Sequence, residues 1–149
     1  MNNAKKTYYI AYGSNLNVSQ MAFRCPDAEP VGKTVLKNWR LVFNGVATIV
    51  RDEGCKVPVG IWKISESDER SLDRYEGYPR LYRKETMLLR IVDKDGKSHY
   101  EDAIVYIMNE GRRQKNPPTE GYYKTIRDGY RDFGIKTDVL ESAVIDSMH

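Results

Sequence analysis

A short segment near the N-terminus has the residue types needed to hold an anion. Tyr12–Asn17, with the sequence YGSNLN, follows an apolar run and precedes a stretch with helical spacing. Gly13 allows the backbone to approach a ligand closely, and the unpaired N–H groups at a helix start favour a carboxylate or a phosphate. An ordinary turn between a strand and a capped helix explains the same residues equally well. The spacing of a Walker phosphate loop is absent.

A single carboxylate, Glu76, is the second candidate for chemistry. Leu72 and Glu76 are four residues apart in a stretch closed by Gly77, so on a helix they share a face. If Leu72 is in the core, Glu76 also points inward. Burial and the negative end of the helix dipole would both raise the pKa of Glu76, and such a group can exchange protons near neutral pH. An exposed glutamate at a frayed helix end is the alternative, which spacing alone favours.

Tyrosine is the unusual part of the composition, with 11 Tyr against 3 Phe and 2 Trp. Many aromatic positions therefore carry a hydroxyl that needs a partner if it is buried. Pro117-Pro118 leads into a predicted helix whose first turn carries Tyr122. Either Tyr122 belongs to the core, which its position alone favours, or its hydroxyl faces a ligand. Tyr106 and Tyr130 are predicted to be core residues.

The counts exclude several classes of protein. The two histidines, His99 and His149, are too few for a histidine-built metal site, and Cys25 and Cys55 form no C-x-x-C motif. We therefore expect reduced thiols and no metal. The net charge is +3 with basic residues dispersed, so we expect no nucleic-acid partner and interpret Arg112–Lys115 as a solvated loop. No signal peptide or membrane span is evident, which predicts a cytoplasmic protein.

The order of elements predicts an α+β fold. A strand over residues 8–12 is followed by a helix from about Val18 to Arg24, a strand-rich stretch, a helix capped by Ser65 or Ser67, a hairpin, and two C-terminal helices. Turns at Asn44-Gly45 and at residues 52–54 divide the strand-rich stretch into separate strands. Strands dominate the middle, so we predict one domain, 1–149, with a mostly antiparallel sheet that could close into a barrel. The regular strand–helix alternation of a doubly wound fold is missing.

Taken together and in this order, these segments resemble the gamma-glutamylcyclotransferase-like superfamily. Tyr12–Leu16 is similar to its substrate loop, residues 72–77 to the segment with its catalytic glutamate, and residues 59–64 to the strand before that segment. Tyr82 and the segment Pro118–Tyr122 match the family's two further tyrosine positions. The resemblance extends from about Tyr8 to Gly134. It implies a small β-barrel flanked by helices.

The resemblance also implies a reaction and a set of site residues. The α-amino group of a small γ-glutamyl compound attacks its own γ-carbonyl, giving 5-oxoproline and a free amine or amino acid without a metal or nucleotide cofactor. Glu76 is the implied catalytic proton shuttle, and the implied substrate-binding residues are Tyr12, Gly13, Ser14, Asn15, Leu16, Tyr82 and Tyr122. A non-catalytic carboxylate-binding module and, more weakly, a nucleic-acid-binding barrel are the alternatives. A homodimer is compatible with the sequence, which does not name the leaving amine.

Overall fold

The computed structural model describes residues 6–92 and 95–149. Its five strands are β1 (Thr7–Ala11), β2 (Glu29–Asn44), β3 (Val46–Ile64), β4 (Tyr82–Val92) and β5 (Ser98–Met108). Its four α-helices are α1 (Val18–Arg24), α2 (Glu66–Glu76), α3 (Glu120–Asp132) and α4 (Asp138–Ser147), and a 3-10 turn spans Ser14–Leu16. The predicted turn between β4 and β5 includes Asp93 and Lys94, which lie outside the described residues.

The strands form one mixed sheet in the order β2-β3-β1-β5-β4. β1 pairs with β5 in parallel, and the other three pairings are antiparallel. This confirms the α+β class and the mostly antiparallel sheet. The edge strands β2 and β4 approach each other where Gly32 faces the carbonyl of Val92. A cleft lined by both strands remains between them, so the described sheet is barrel-like but not closed by hydrogen bonds.

The first two long strands are more continuous than the sequence predicts. The tight turn at Asn44-Gly45 is present as predicted. The predicted break at residues 52–54 is wrong, because this stretch forms a bulge within β3: the register passes from the pair Trp39 and Arg51 to the pair Lys37 and Lys56. The N–H of Gly54 donates to the side-chain oxygen of Asn38 at 3.1 Å, so turn-forming residues here stabilise a bulge.

The core lies between the sheet and the helices that flank it. In β5, Val105, Tyr106 and Ile107 are all buried, which agrees with a strand in the sheet interior. The fully buried Ile126 and Tyr130 form the inner face of α3, as the helical spacing predicts. α3 packs against the 3-10 turn and α4 packs against β2. Within the described part of the chain, no helix is long and apolar enough to cross a bilayer.

Candidate active site

The predicted anion-binding segment connects β1 to α1. The side chain of Asn17 accepts the N–H of Gln20 at 3.0 Å and so caps α1, as predicted. The N–H groups of Ser14 and Asn15 open the 3-10 turn and have no partner within it. The carbonyl of Asn15 accepts the indole N–H of Trp62 at 2.8 Å, which fixes the peptide plane from β3. A side chain at Gly13 would lie 3.3 Å from Ala47 Cβ and 3.7 Å from the Tyr122 hydroxyl, so glycine keeps this part of the site open.

Leu16, a predicted substrate-binding residue, lies away from the site and fixes the segment from behind. Its side chain is fully buried. A Cβ on Gly60 would lie 2.7 Å from Leu16 Cδ2, and one on Gly129 would lie 2.7 Å from Leu16 Cβ and 2.6 Å from the backbone nitrogen of Asn17. β3 and α3 therefore approach the segment at distances that only glycine allows. The apolar side chain is used for packing and is not among the residues that line the cavity described below.

Helix α2 carries Glu76 on its last turn. The helix begins with a capping box in which Ser65 and Asp68 each accept a backbone N–H from the other, and it ends at Gly77 in the left-handed conformation with φ 65°. Leu72 is fully buried. Glu76, one turn later on the same face, reaches the cavity described below. The inward orientation that we expect for Glu76 if Leu72 is in the core is therefore observed.

Polar contacts of residues earlier in α2 than Glu76 attach the helix to the sheet. The ammonium group of Lys84, on β4, lies 2.6 Å from the carboxylate of Glu69 and 2.9 Å from that of Asp73. The hydroxyl of Tyr106, on β5, also donates to Asp73. Both carboxylates on this side of the helix are thus paired, which fixes the direction in which α2 points into the site.

Seven of the eight predicted site residues surround one cavity of about 270 Å³. The sheet, the 3-10 turn, α2 and α3 all contribute to it. Its lining includes Tyr12, Gly13, Ser14, Asn15, Glu76, Tyr82 and Tyr122. A glutamate and the N–H-bearing segment therefore face the same space, although 61 residues separate Asn15 from Glu76 in the chain.

The side-chain amide of Asn15 sets the environment of Glu76. Arg24 donates to the amide oxygen of Asn15, so the amide nitrogen faces the other way. That nitrogen donates to the Tyr9 hydroxyl at 2.8 Å and to Glu76 Oε1 at 3.4 Å. Removal of the carboxyl from water raises the pKa of Glu76 from 4.5 to about 7, against the opposing effect of the Arg24 guanidinium. The group can therefore both accept and release a proton near neutral pH.

The three predicted pocket tyrosines are held by backbone groups. Tyr12 donates to the carbonyl of Tyr106 at 2.6 Å and Tyr82 donates to the carbonyl of Ala47, while Tyr122 accepts the N–H of Ala47 at 3.1 Å. Burial raises the pKa of all three phenols, so they stay neutral. Tyr12 and Tyr82 use their hydroxyl protons on these carbonyls, whereas among the described contacts the Tyr122 hydroxyl proton is left for another partner.

The sequence matches a protein family over the segments that build this cavity. The profile of the family described as "Gamma-glutamyl cyclotransferase, AIG2-like" matches residues 9–125. The chain belongs to this family. It is a gamma-glutamylcyclotransferase-like enzyme. The matched range contains all eight residues that the sequence predicted for the site.

Individual relatives agree with this assignment. The chain is 27% identical over 146 residues to the gamma-glutamylcyclotransferase of Homo sapiens, covering 89% of this chain and 74% of the human one. It is 27% identical over 139 residues to that of Bos taurus, covering 85% and 71%. A solved structure named gamma-glutamyl cyclotransferase superposes with a TM-score of 0.76 at 26% identity, covering 93% of this chain and 86% of that one. YkqA from Bacillus subtilis, at 21% identity and a TM-score of 0.71 over 97% of this chain and 55% of its own, shares the fold.

Several residues of the gamma-glutamylcyclotransferase-like cavity are not among the eight site residues predicted from the sequence. Tyr9, Tyr75 and Tyr106 also line it, and Tyr75 bonds Ser14 through its hydroxyl at 3.0 Å. Tyr106 is both a core residue and part of the wall. The adjacency of Tyr75 to Glu76 was a usable signal, but Arg113 lies in a short basic run that resembles a solvated loop.

Proposed function

We propose that this enzyme cyclises a γ-glutamyl compound to 5-oxoproline and releases the free amine. The α-amino nitrogen of the substrate attacks its own γ-carbonyl carbon, a C–N bond forms within a five-membered ring, and the C–N bond to the leaving amine breaks. The proposal is carried by one observation: Glu76, whose pKa is raised to about 7, lines the same cavity as Ser14 and Asn15, whose N–H groups have no partner within the 3-10 turn.

The backbone segment gives the substrate its orientation in this proposal. The α-carboxylate binds the N–H groups of Ser14 and Asn15, beside Gly13, where the backbone is accessible. Holding that carboxylate leaves the α-nitrogen and the γ-carbonyl to meet within the cavity. Such positioning replaces much of the orientational entropy that an unassisted cyclisation would lose.

Glu76 carries the protons. The substrate enters with an α-ammonium group, while the lactam product keeps a single hydrogen on that nitrogen. Two protons must therefore pass from the attacking nitrogen to the leaving nitrogen, which departs as an ammonium ion. A carboxyl group with a pKa of about 7 can accept and deliver each of them in turn. In this proposal a segment N–H, or the Tyr122 hydroxyl proton, stabilises the oxyanion of the tetrahedral intermediate.

The proposal is tested by 5-oxoproline release from a panel of γ-glutamyl amino acids and γ-glutamylamines. The wild-type protein should turn over at least one of them, and Glu76→Gln should lower kcat by about 10²- to 10⁴-fold because the amide cannot shuttle protons. Glu120→Gln, which changes an exposed glutamate on α3, is the matched control. Normal turnover by Glu76→Gln would exclude Glu76 as the shuttle. Thermal stabilisation by these compounds without any product would favour the non-catalytic binding module instead.

Four accompanying predictions belong to the same proposal. The enzyme is expected to need no cofactor, to act as a single domain, to be located in the cytoplasm and to act on a small molecule and not on nucleic acid. Gel filtration with light scattering distinguishes the homodimer that the sequence allows from a monomer. Activity that survives dialysis against a chelator would support independence from metals.

A further inference from the structure

The cavity contains one cationic side chain that the proposed mechanism does not use. Two of its lining residues carry a charge, Glu76 and Arg113. Arg113 comes from the segment between β5 and α3, and its side chain is exposed at the cavity. Across residues 6–92 and 95–149, no hydrogen bond or ion pair involves its guanidinium group. A guanidinium group of this kind is available to an anion that enters from solvent.

The backbone around Arg113 is fixed to the cavity wall. Asn116, three residues later, accepts the N–H of Gly45 at 2.8 Å and donates its own N–H to the carbonyl of Phe43 at 3.1 Å. These bonds attach the segment to the β2–β3 turn, which leads directly into Val46 and Ala47 of the cavity lining. The guanidinium nitrogen Nη1 would lie 3.9 Å from a side chain at Gly45. Arg113 is therefore attached beside the site even though its side chain is exposed.

The charges of the substrate show what this cation can recognise. In the proposed function, the glutamyl α-carboxylate lies on the N–H groups of Ser14 and Asn15, and the α-amino group lies at Glu76. The remaining variable is the leaving amine. An amino acid brings a second carboxylate, whereas an alkylamine brings none. A guanidinium group binds a carboxylate through two parallel N–H donors, so it separates these two classes.

We propose that Arg113 is a specificity-determining residue that selects γ-glutamyl compounds whose leaving amine carries a carboxylate. The inference rests on the proposed function and extends it to the leaving group. Arg113 does not take part in proton transfer, so it acts on substrate choice and mainly on KM. The carboxylate of the leaving amino acid supplies the partner that the guanidinium lacks within the described protein.

Two substrates that differ by one carboxylate test the proposal. γ-Glutamylalanine and γ-glutamylethylamine share the glutamyl group, and their leaving amines differ only by that carboxylate. We expect the wild-type enzyme to favour γ-glutamylalanine, and Arg113→Met to lower the ratio of the two kcat/KM values by about tenfold, chiefly through KM. Arg113→Lys, which keeps the charge without the two-pronged geometry, should give an intermediate ratio. Arg112→Met removes the same charge one residue away, outside the cavity lining, and should leave the ratio as in the wild type.

The outcomes separate this inference from the function on which it rests. An unchanged ratio in Arg113→Met, with both substrates still turned over, overturns the inference alone. An equal loss on both substrates also overturns it, because it would place Arg113 on the glutamyl α-carboxylate that both compounds carry. If the wild-type enzyme releases no 5-oxoproline from either compound or from any in the panel, the proposed function fails and this role of Arg113 fails with it.

Discussion

Two carboxylates three residues apart on α2 are held in opposite ways. Asp73 lies 2.9 Å from the ammonium group of Lys84 and also accepts the Tyr106 hydroxyl. Glu76 has no cation within ion-pairing distance among the described residues and one long hydrogen bond, 3.4 Å from the Asn15 amide. Asp73 is satisfied by the protein, whereas Glu76 faces a cavity and keeps a pKa of about 7.

Under the proposed function, one helix provides both a structural acid, Asp73, and a reactive acid, Glu76. The paired carboxylates fix the helix against the sheet, and that rigidity allows the unpaired carboxylate to be withdrawn from water at a defined place. An unpaired buried carboxylate costs stability, because the charged form loses solvation. We therefore expect substitutions that remove the ion pairs of Asp73 and those that remove the charge of Glu76 to change stability in opposite directions.

A large loss of stability is expected from removing the cation that pairs Glu69 and Asp73 of α2. Lys84→Met removes the cation shared by Glu69 and Asp73, whose side chains are about a quarter exposed, and leaves both acids without it. The free energy of unfolding should fall by about 1–3 kcal/mol, with a smaller effect on the kcat of the folded enzyme. Denaturant unfolding measures this change.

The control for Lys84→Met is an ion pair that remains more solvated. Arg40 and Asp52 lie 2.8 Å apart with side chains 43% and 41% exposed. Arg40→Met should cost no more than about 1 kcal/mol. If Lys84→Met and Arg40→Met lower the free energy of unfolding by the same small amount, the contacts of Lys84 with Glu69 and Asp73 do not fix α2 against the sheet.

Removing the charge of Glu76 should raise the free energy of unfolding of the protein. The pKa of Glu76 rises from 4.5 to about 7 on folding, so below about pH 4 it is protonated in both states and costs little. Between about pH 4.5 and 7 the unfolded chain ionises this carboxyl while the folded protein keeps it protonated, so the free energy of unfolding falls across this range and the loss is complete above about pH 7. Glu76→Gln should therefore match the wild type near pH 4 and exceed it by about 1–3 kcal/mol near pH 8. Urea unfolding of the two proteins as a function of pH checks this, and a parallel pair of curves would contradict it.

The smallest predicted change is a shift in the pKa of Glu76. Arg24 lowers the pKa of Glu76 and orients the Asn15 amide toward it. Arg24→Met should raise the kinetic pKa of the ascending limb of kcat/KM by about one unit, so that activity falls at neutral pH and recovers at higher pH. The matched control is Arg74→Met. Arg74 is an exposed cation two residues before Glu76, and its guanidinium group donates to the Ser71 hydroxyl. An unchanged kinetic pKa in Arg24→Met would show that this cation does not lower the pKa of Glu76.

The sequence predicted the features that depend on local chemistry. The bounds of α1 follow from the Asn17 cap and from the Cys25-Pro26 stop, and the structure reproduces both ends. The spacing to Leu72 gives Glu76 an inward direction once Leu72 is in the core, since four residues complete about one helical turn, although spacing alone favours an exposed glutamate. These inferences need only neighbours in the chain.

The remaining features depend on contacts between distant segments. Nothing in the sequence near Leu16 indicates that Gly60 and Gly129 leave room for its side chain, so the sequence does not predict its packing role. Nor does the basic run 112–115 reveal that bonds from Asn116 to the β2–β3 turn hold Arg113 at the cavity. The open edge between β2 and β4 likewise depends on how the whole sheet curves, which strand patterns do not determine.

The hydrogen bond from Trp62 to the Asn15 carbonyl makes tryptophan fluorescence a direct probe of this segment. Trp62 is 2% exposed, packs edge-on against Phe133 and is bonded directly to the segment proposed to hold the substrate. The second of the two tryptophans, Trp39, lies on β2 with Arg51 over its ring. With Trp39 replaced by phenylalanine, the tryptophan fluorescence, excited selectively over that of the 11 tyrosines, would come from one indole whose N–H donates to the candidate site. Occupancy of that segment could then be followed by emitted light, without a label and before any product is formed.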